Sequence, residues 1–382
     1  MADRRDVMIP GRAGRLADHM TSLSATSPPS RIVRIRARDL EDGVASIFTS
    51  LGLGAAPAGV VSRALVCADL EGIASHGVML LPMYVQRLRA GSVSAASDAR
   101  VVSERDGTVV LDAQNVLGQL SSHQAVGILI ERAPRYGLAA VAVRNGFHFG
   151  TAGYWARMLA ERGLIGIVAS NTRPLMPAPG GAEPVVGNNP LAIAVPSAEE
   201  MPIVLDMAMS ASAMGKIRLA AAESKPIPDT WATDVSGRST TDPAEAIRGM
   251  LLPAAGAKGF GLAFMIDLLC GALSGGGVGA AVRPLYSNLA DPYNCSHLFI
   301  TIDVAHFGDP KVFAQTVAVA AGRVRQSARA PDVEQLFAPG DLARREAAVN
   351  GEWCPLAEEV ARQLLALAQE LGVSRNFVFS PG

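Results

Sequence analysis

The chain carries almost no net charge and has no long hydrophobic run, and each absence excludes a class of protein. Its 34 lysines and arginines are balanced by 35 aspartates and glutamates, which leaves a formal net charge of −1. A nucleic-acid-binding protein would carry a strong positive field, and a membrane-spanning helix would need roughly 20 apolar residues in a row. The sequence therefore predicts neither a nucleic acid nor a membrane among its partners.

Cysteine is also scarce, and its few occurrences are not spaced as metal ligands or redox pairs. The residues Cys67, Cys270, Cys295 and Cys354 contain no C-x-x-C pair. The six histidines show no H-x-x-x-H or H-E-x-x-H spacing, so no metal site is predicted. Scattered cysteines of this kind are typical of apolar fillers in a reducing cytosol, which indicates a cytoplasmic protein.

The signatures of nucleotide-binding loops and of serine hydrolases are missing too. Residues 256–259 lack the G-K-[S/T] ending of a Walker loop. Residues 275–280 match G-x-G-x-x-A in letters, but they follow a predicted helix instead of a strand, so they do not fit a Rossmann turn. No G-x-S-x-G motif occurs. These motifs alone do not predict a dinucleotide site.

The sequence does contain enough apolar residues to build a large interior. Hydrophobic residues make up 49% of the chain and charged residues 18%, and 382 residues suffice for two lobes. Residues 1–30 are the exception, because segment 22–30 is rich in serine and proline and no apolar stretch of a signal peptide precedes it. We therefore predict a flexible tail at 1–30 and a folded protein after it.

Hydrophobic periodicity predicts alternating helices and strands after this tail. Val44, Ile47, Phe48 and Leu51 form one helical stripe, which ends at the glycines of segment 52–54. Short β-branched runs predict strands, and a 3.6-residue period predicts helices. The predicted strands are 108–112, 139–144, 165–169, 191–195, 202–206 and 297–303. The further predicted helices are 58–70, 76–89, 119–135, 152–162, 256–273, 311–326 and 355–371.

This order of elements predicts a fold of the α/β class. Helical segments at both ends surround a mixed middle, so we expect a mixed-sheet lobe inserted in a mainly helical lobe that both chain ends build. The predicted boundaries place the first part of the helical lobe at 31–105, the sheet lobe at 106–290 and the return to the helical lobe at 291–382.

Three polar segments lie between the apolar elements, and the first ends in Ser75-His76-Gly77. It stands where one predicted helix ends and the next begins, so Ser75 is a suitable N-cap. His76 would then lie at the positive end of a helix, which lowers the pKa of an imidazole. The alternative is a capping serine beside an incidental histidine.

The other two polar segments are 144–150 and 170–190. In the first, His148 directly follows a predicted strand and is flanked by glycines, as suits a general acid or base that a substrate must approach closely. The alternative is a turn with a buried, hydrogen-bonded histidine. Segment 170–190 is dense in glycine, proline and asparagine, and its backbone N–H groups could hold phosphates or a nicotinamide amide. The alternative is an ordinary surface loop.

Taken together, these segments resemble the malate/L-lactate dehydrogenase-like oxidoreductases. That family includes ureidoglycolate dehydrogenase, 2,3-diketo-L-gulonate reductase, sulfolactate dehydrogenase and piperideine-2-carboxylate reductase. The resemblance runs from about residue 36 to about residue 355. The matching strings are A-D-L-E-G-I-A-S-H-G (68–77), L-P-M-Y-V-Q-R-L-R-A-G (81–91), V-R-N-G-F-H-F-G-T-A-G-Y (143–154), P-G-G-A-E-P-V-V-G-N-N-P (179–190), L-D-M-A (205–208), I-P-D-T-W-A-T-D (227–234), T-T-D-P (240–243) and K-G-F-G-L (258–262).

The resemblance implies an enzyme that uses NAD or NADP on a fold unrelated to the Rossmann fold. It would interconvert a small 2-hydroxy acid, of malate, lactate, ureidoglycolate or sulfolactate type, and its 2-keto acid. The family also implies a homodimer and a cofactor bound by the lobe of residues 106–290. His148 corresponds to the proton donor or acceptor, and His76 with Ser75 to groups on the substrate side. The implied cofactor-contacting residues are Thr172, Asp206, Met207, Ala208, Lys258, Gly259, Pro339, Gly340 and Asp341.

One position departs from the family pattern S-H-G-x-x-R. The arginine of that pattern binds the substrate carboxylate as a fork, and this chain has Leu80 there. One hypothesis is that Arg87, Arg144 or Arg173 binds the carboxylate instead. A second is that the substrate is a cyclic imino acid or a less acidic carbonyl compound. A third is a paralogue that keeps the fold and the dimer without catalysis.

Overall fold

The computed structural model describes residues 31–374 and 377–380 of the chain. The flexible tail predicted at 1–30 lies outside these residues.

The described residues form thirteen β-strands and eleven α-helices. The strands are β1 (Ile32–Arg36), β2 (Arg100–Arg105), β3 (Thr108–Asp112), β4 (Leu138–Gly146), β5 (Leu164–Ser170), β6 (Met176–Pro177), β7 (Pro184–Val186), β8 (Leu191–Val195), β9 (Ile203–Met207), β10 (Ala232–Thr233), β11 (Met250–Leu251), β12 (Cys295–Asp303) and β13 (Trp353–Ala357). The helices are α1 (Ala37–Ser50), α2 (Ala55–Leu70), α3 (Leu81–Ala90), α4 (Gly118–Tyr136), α5 (Ala152–Ala160), α6 (Met214–Ala222), α7 (Pro243–Arg248), α8 (Ala257–Asp267), α9 (Pro310–Gln326), α10 (Asp341–Asn350) and α11 (Glu358–Glu370). None of these helices is both long and apolar enough to cross a membrane.

A seven-stranded mixed sheet forms the centre of the protein, with the strand order β2-β3-β4-β12-β5-β8-β9. Its strands carry β-branched and aromatic side chains that are fully buried, such as Val141, Val168 and Phe299. Only β3 and β4 pair in parallel, and every other pair in this sheet is antiparallel. The α/β class predicted from the sequence is confirmed, and the strand pairing differs from the parallel pairing of a Rossmann sheet.

Helices cover both faces of this sheet. Helices α4 and α5 pack on one face through a cluster around Leu129, Trp155 and Leu159. Helix α8 and the π-helical turn Leu268–Ala272 that continues it pack on the other face. These two helical layers shield the sheet from water, so the polar loops at its edges are where a ligand can reach the protein.

The two chain ends meet in a second, smaller sheet. Strand β1 pairs antiparallel with β13, and the Arg34 guanidinium donates to the side chain of Asn350. One apolar cluster combines residues from α1, α2 and α3 with residues of β13 and α11. The described residues from Arg31 onward fall into one compact unit, so the lobe boundaries at 105 and 290 stay a prediction.

Most predicted elements are present, but two were wrong in part. The helix predicted at 76–89 begins only at Leu81. Gly77 adopts an extended conformation (φ −95°, ψ −154°), which separates two short 3₁₀ turns. The helix predicted at 355–371 begins at Glu358, because residues 355–357 pair with β1 in strand β13. Strands β1, β2, β6, β7, β10 and β11 and helices α6, α7 and α10 were not predicted.

Candidate active site

His148 lies in a short loop between strand β4 and helix α5. The loop is fixed by its neighbours, because the Phe147 and Phe149 side chains are almost fully buried. Gly150 follows with a φ of +85°, a conformation that favours glycine and turns the chain into α5. His148 itself is half-buried and follows the end of a buried strand.

The Nδ1 atom of His148 lies 2.7 Å from the hydroxyl oxygen of Tyr84. Gln119 donates its amide hydrogen to the same oxygen over 3.0 Å. The Tyr84 hydroxyl can also donate to the His148 carbonyl oxygen, at 3.4 Å. The single hydroxyl hydrogen of Tyr84 can therefore point to His148 Nδ1 or to the His148 carbonyl oxygen. Its direction decides which imidazole nitrogen of neutral His148 carries the proton.

His76 lies against His148 at the end of the 3₁₀ turn Ala74–His76. The two ring centroids are 5.3 Å apart, with 30° between the ring planes. Ser75 Oγ lies 3.0 Å from His76 Nδ1. The prediction that Ser75 caps a helix was wrong, since α3 begins six residues later; its hydroxyl orients the neighbouring imidazole instead.

A buried carboxylate holds the turn that carries His76. The Val78 N–H donates to Asp69 Oδ2 over 2.7 Å, and Asp69 is only 2% exposed. Burial raises the pKa of Asp69 to about 7. A side chain at Gly77 would place its Cβ 2.1 Å from Asp69 Oδ1, so the close approach of these two segments requires glycine.

Burial lowers the pKa of both histidines. For His76, desolvation is the cause, and the predicted direction is confirmed although its predicted cause, a helix end, is absent. For His148, desolvation comes first and the neighbouring His76 and His297 add to it, so its pKa lies well below 6.5. Both rings are therefore neutral near pH 7, and placing a proton on one disfavours protonation of the other.

Asp206, near the end of strand β9, contacts the helix that follows the histidine loop. Its carboxylate accepts the Gly153 N–H, in the first turn of α5, over 2.7 Å. The residue is accessible to solvent, yet the surrounding protein desolvates the carboxylate and raises its pKa to about 6. The following residues, Met207 and Ala208, are also exposed. Because α5 begins shortly after His148, this bond ties the end of β9 to the proposed catalytic loop.

The predicted loop 170–190 is a fixed structure. Its Thr172 N–H donates to Asn189 Oδ1 over 2.8 Å, and the Thr172 hydroxyl donates to Asn188 Oδ1 over 3.0 Å. Asn189 in turn donates to the Ala263 carbonyl oxygen of α8 over 2.8 Å. Two short strands, β6 and β7, pair within the loop. These contacts fix the ends of the loop, while residues 182–185 are exposed, so the function of the segment stays a prediction.

The start of α8 presents a free cation. Lys258 is exposed and forms no hydrogen bond or ion pair with the part of the chain that the structure describes. The helix begins after Gly256 without a side-chain cap, so no side chain of the described residues accepts from the N–H groups of its first turn. Gly259 is buried, and a Cβ there would lie 2.0 Å from the Ala254 carbonyl oxygen. The N–H groups of a helix start and an ammonium together suit an anion such as a phosphate.

Segment 339–341 lies beside β9, the strand that contains Asp206. The Val204 N–H donates to the Pro339 carbonyl oxygen over 3.4 Å, and Gly340 has a φ of +88°. The Asp341 carboxylate is bound by the Arg325 guanidinium in a fork, with distances of 2.7 and 2.8 Å. This pairing lowers the pKa of Asp341, so the carboxylate has a structural partner of its own.

Direct contacts thus join some predicted site residues but not all of them. His76, Ser75 and His148 form one group, and Asp206 joins it through the first turn of α5. Tyr84, which contacts His148, and Gln119, which donates to the Tyr84 hydroxyl oxygen, were missed by the sequence prediction. The only sequence feature that pointed to Tyr84 as a site residue is its place in the matching string 81–91. For Gln119 no sequence feature pointed to the site beyond its place at the start of a predicted helix.

The three arginines considered as ligands of the substrate carboxylate differ in burial and in hydrogen-bond partners. Arg87 is fully buried and donates to the backbone carbonyl oxygens of Pro284, Leu285 and Asp291. The hypothesis that Arg87 binds substrate was therefore wrong, because its donors are all used inside the protein. Leu80 is 2% exposed and belongs to the apolar cluster of the chain ends.

The remaining two arginines differ in their partners. Arg144 donates to the Asp112 carboxylate over 3.2 Å and lies at the end of β4. Arg173 is exposed, and its guanidinium makes only a long contact of 3.5 Å to the Pro174 carbonyl oxygen. It lies near enough to Tyr293 to oppose the rise that burial causes in the pKa of that phenol. The Tyr293 ring packs edge-on against Phe147, next to His148.

Comparison with known proteins places these features in one family. The sequence model described as malate/L-lactate dehydrogenase matches residues 35–365. The (2R)-3-sulfolactate dehydrogenase (NADP(+)) of Chromohalobacter salexigens is 35% identical over 340 residues, 89% of this chain and 98% of that protein. The ureidoglycolate dehydrogenase (NAD(+)) of Escherichia coli K12 is 34% identical over 322 residues, 84% of this chain and 92% of that protein. The solved structure of sulfolactate dehydrogenase from Methanocaldococcus jannaschii superposes with a TM-score of 0.85 at 32% identity, covering 89% of this chain and 98% of that one.

Proposed function

The chain belongs to the malate/L-lactate dehydrogenase family, and from this premise we propose that it interconverts a small 2-hydroxy acid and its 2-keto acid at the His76–His148 site, with NAD or NADP as cofactor. The observation that carries the proposal is the contact between these two desolvated imidazoles, one of them bound to a buried tyrosine. The relatives named (2R)-3-sulfolactate dehydrogenase and ureidoglycolate dehydrogenase support a substrate of the 2-hydroxy acid class.

His148 is the proposed acid and base. The nicotinamide, when bound, supplies or accepts the hydride. In oxidation, the Tyr84 hydrogen points to the His148 carbonyl oxygen, Nδ1–H donates to the Tyr84 oxygen, and Nε2 is free to take the alcohol proton. In reduction, the resulting imidazolium returns that proton from Nε2 to the carbonyl oxygen of the substrate. The low pKa of His148 favours this return, because the neutral imidazole is its stable form.

His76 and Ser75 are the proposed substrate contacts beside His148. The Ser75 hydroxyl engages Nδ1 of His76, which leaves Nε2 of that ring for a substrate oxygen. A substrate that lies along both imidazoles would have its reacting oxygen at His148 and a neighbouring polar group at His76. This arrangement fixes orientation by two hydrogen bonds, as near-attack geometry requires.

Arg173 is the proposed ligand of the substrate carboxylate. Arg87 is committed to backbone oxygens, and Arg144 is paired with Asp112. Of the three, Arg173 alone is exposed, with a long contact to the Pro174 carbonyl oxygen, and it lies near Tyr293. Arg173→Leu should raise the KM for a keto acid by about 100-fold and leave the Kd of the cofactor unchanged. Arg105→Leu, on the exposed strand β2, is the control; an unchanged KM in the Arg173 variant would remove this assignment.

The cofactor is proposed to lie along the sheet lobe of residues 106–290 and the adjoining segment 339–341. The N–H groups at the start of α8, with Lys258 and Gly259, fit a phosphate. Thr172 and residues Asp206, Met207 and Ala208 are the further proposed contacts. Pro339, Gly340 and Asp341 would contribute mainly backbone groups, since the Asp341 side chain is bound by Arg325.

A homodimer is proposed from an exposed apolar stripe on α8 and the turn that follows it. Leu262, Met265, Leu269 and Leu273 recur at helical spacing and are 43%, 51%, 45% and 60% exposed. Four apolar side chains on one helical face are typical of an interface between chains. Light scattering should give twice the chain mass for the wild type and for Val235→Glu, an exposed control. Leu269→Glu should give one chain mass; a monomeric wild type would contradict the dimer.

A cofactor and substrate screen tests the function. Thermal unfolding is measured with NADH and with NADPH, and oxidation of each is followed with 2-keto acids, keto-sulfonates and cyclic imino acids. We expect one cofactor to raise the unfolding temperature and a 2-keto acid or keto-sulfonate to give turnover. Turnover with cyclic imino acids alone would assign the other substrate class. Stabilisation by neither cofactor would support a paralogue that has lost catalysis.

A further inference from the structure

His297 lies next to the proposed catalytic loop, in the most protected part of the fold. It belongs to β12, the central strand of the seven-stranded sheet, and is fully buried. Strand β12 pairs with β4 on one side and β5 on the other, and its pairing with β4 shifts register between Cys295 and His297. A polar ring in such a position needs partners, because an unpaired buried polar group is costly.

The partners of His297 are residues on both sides of His148. His297 Nε2 lies 3.1 Å from the carbonyl oxygen of Phe147. The His297 ring stacks on the Phe149 ring, with 4.4 Å between centroids and 3° between planes. A Cβ at Gly146 would lie 2.9 Å from Nε2, so the approach of the strand also requires a glycine there. One ring thus contacts the residues immediately before and after His148.

The hydrogen-bond partners define which nitrogen carries the proton. The Phe147 carbonyl oxygen can only accept, so Nε2 of His297 donates. Nδ1 lies 2.8 Å from Ser170 Oγ and accepts the hydroxyl hydrogen. Burial lowers the pKa of His297 to about 4. The ring is therefore a neutral donor of fixed orientation throughout the pH range in which a dehydrogenase works.

We propose that His297 is a positioning residue that holds the loop of His148 in the geometry for proton transfer, by its hydrogen bond to the Phe147 oxygen and its stacking on Phe149. The inference rests on the proposed role of His148. The loop needs such an anchor because Asn145 and Gly150 both have positive φ values, of 51° and 85°, and the segment between them belongs to no helix. His297 touches neither substrate nor cofactor in this proposal.

Two matched variants test whether the hydrogen bond of His297 to Phe147, and not only its packing, is required. A glutamine side chain can reproduce the Nε2 donor of His297, whereas an asparagine can reproduce only the Nδ1 acceptor that faces Ser170. Both variants lose the aromatic stacking on Phe149. We expect His297→Asn to lower kcat about 100-fold, as misplacement of a reacting group by about 1 Å does, with an unchanged Kd for the cofactor. His297→Gln should recover at least tenfold of that loss.

Several outcomes would overturn the proposal. Equal kcat values for the Gln and Asn variants would show that the donor to Phe147 has no role. A lower unfolding temperature with wild-type kcat in both would show that His297 only supports the core. A His297→Phe variant keeps the stacking without the donor, and wild-type kcat in that variant would exclude the hydrogen bond as the anchor.

An NMR titration tests the same inference without catalysis. The groups that face His148 are His76 from the turn Ala74–His76, Tyr84 from α3 and His297 from β12. In His297→Asn the loop loosens and the His148 imidazole gains water, so the His148 titration should move upward, and further than in His297→Gln, which lacks the same imidazole but keeps the donor to Phe147. An unchanged His148 titration in a folded variant would contradict the proposal. If the wild type shows no turnover with any substrate, the proposed function fails, while this titration still decides whether His297 positions His148.

Discussion

The imidazole rings of His76 and His148 face each other at 5.3 Å, although they belong to different segments of the chain. Among residues 31–374 and 377–380, neither ring has a carboxylate as a hydrogen-bond partner; His76 contacts a serine and His148 a tyrosine. Both rings therefore remain neutral near pH 7, and a proton that reaches the pair is released readily. That property suits a reaction in which one proton must be taken up and returned in each catalytic cycle.

Replacing His148 should abolish most of the turnover. His148→Gln removes the group that gives and takes the proton, so kcat should fall by about 10²- to 10⁴-fold, while the Kd of the cofactor stays the same. His123→Gln, an exposed histidine on α4, is the matched control and should retain wild-type kcat. Steady-state kinetics check both variants. Undiminished turnover in His148→Gln would transfer the proton step to another group.

The pH dependence of alcohol oxidation should reflect the lowered pKa of His148. Oxidation needs the neutral imidazole, and a histidine with a pKa well below 6.5 is neutral at and above that pH. We expect kcat/KM for the 2-hydroxy acid to be level above pH 6.5 and to fall only as the pH drops further. Initial rates measured between pH 4.5 and 9 in buffers of constant ionic strength check this. A midpoint above pH 7 would contradict the assignment of His148 as the base.

A methyl group at Gly118 should displace the catalytic loop. A Cβ at this position would lie 2.1 Å from the Phe147 carbonyl oxygen and 2.5 Å from that of His148. These are backbone atoms, so the loop must move, and kcat of Gly118→Ala should fall about 100-fold. Gly127→Ala, on the same helix with no atom within 4 Å of its Cβ, should keep full activity and gain about 0.5–1 kcal/mol in unfolding free energy. Equal activity of the two variants would contradict the predicted clash.

Asp69→Asn should change how stability depends on pH. The pKa of Asp69 is about 7 in the folded protein and 3.8 as a free side chain. Between these values the folded state holds a proton that the unfolded state releases, so this group's contribution to stability is lost as the pH rises from 4 to 7. The asparagine variant lacks this loss. The unfolding free energy of the variant minus that of the wild type should therefore be about 4 kcal/mol larger at pH 8 than at pH 4. Urea unfolding at both pH values measures it. The exposed control Asp98→Asn should show no such difference.

Elements whose pattern is local could be predicted from the sequence. Strands β3 and β8 have the predicted bounds, because a short β-branched run between turn residues is sufficient to define a buried strand. Strand β13 was taken for the start of a helix because its identity depends on pairing with β1, far away in the sequence. The central position of β12 is likewise a property of its two remote neighbours, and no local pattern encodes it.

The same distinction applies to the site. His76 and His148 could be found because each is a polar residue beside glycine between apolar elements. Three further residues could not be found, namely Tyr84, Gln119 and His297. A tyrosine or glutamine in a helix, or a histidine in a strand, looks the same in the sequence whether it contacts the site or only packs in the core. Only the folded chain shows that Tyr84 contacts His148 and that His297 contacts the residues around it.

The pairing of β1 with β13 also has a consequence for synthesis on the ribosome. Arg34 and its partner Asn350 are 316 residues apart in sequence. Helices α1, α2 and α3 emerge early, but the apolar cluster they form with β13 and α11 lacks its last members until nearly all of the chain has been translated. The sheet of β3, β4, β5, β8, β9 and β12 can assemble before that point, whereas the early helices wait with apolar faces exposed. Helices α1, α2 and α3 should thus be among the last described elements to reach their native packing, and they are the elements that would most need a chaperone.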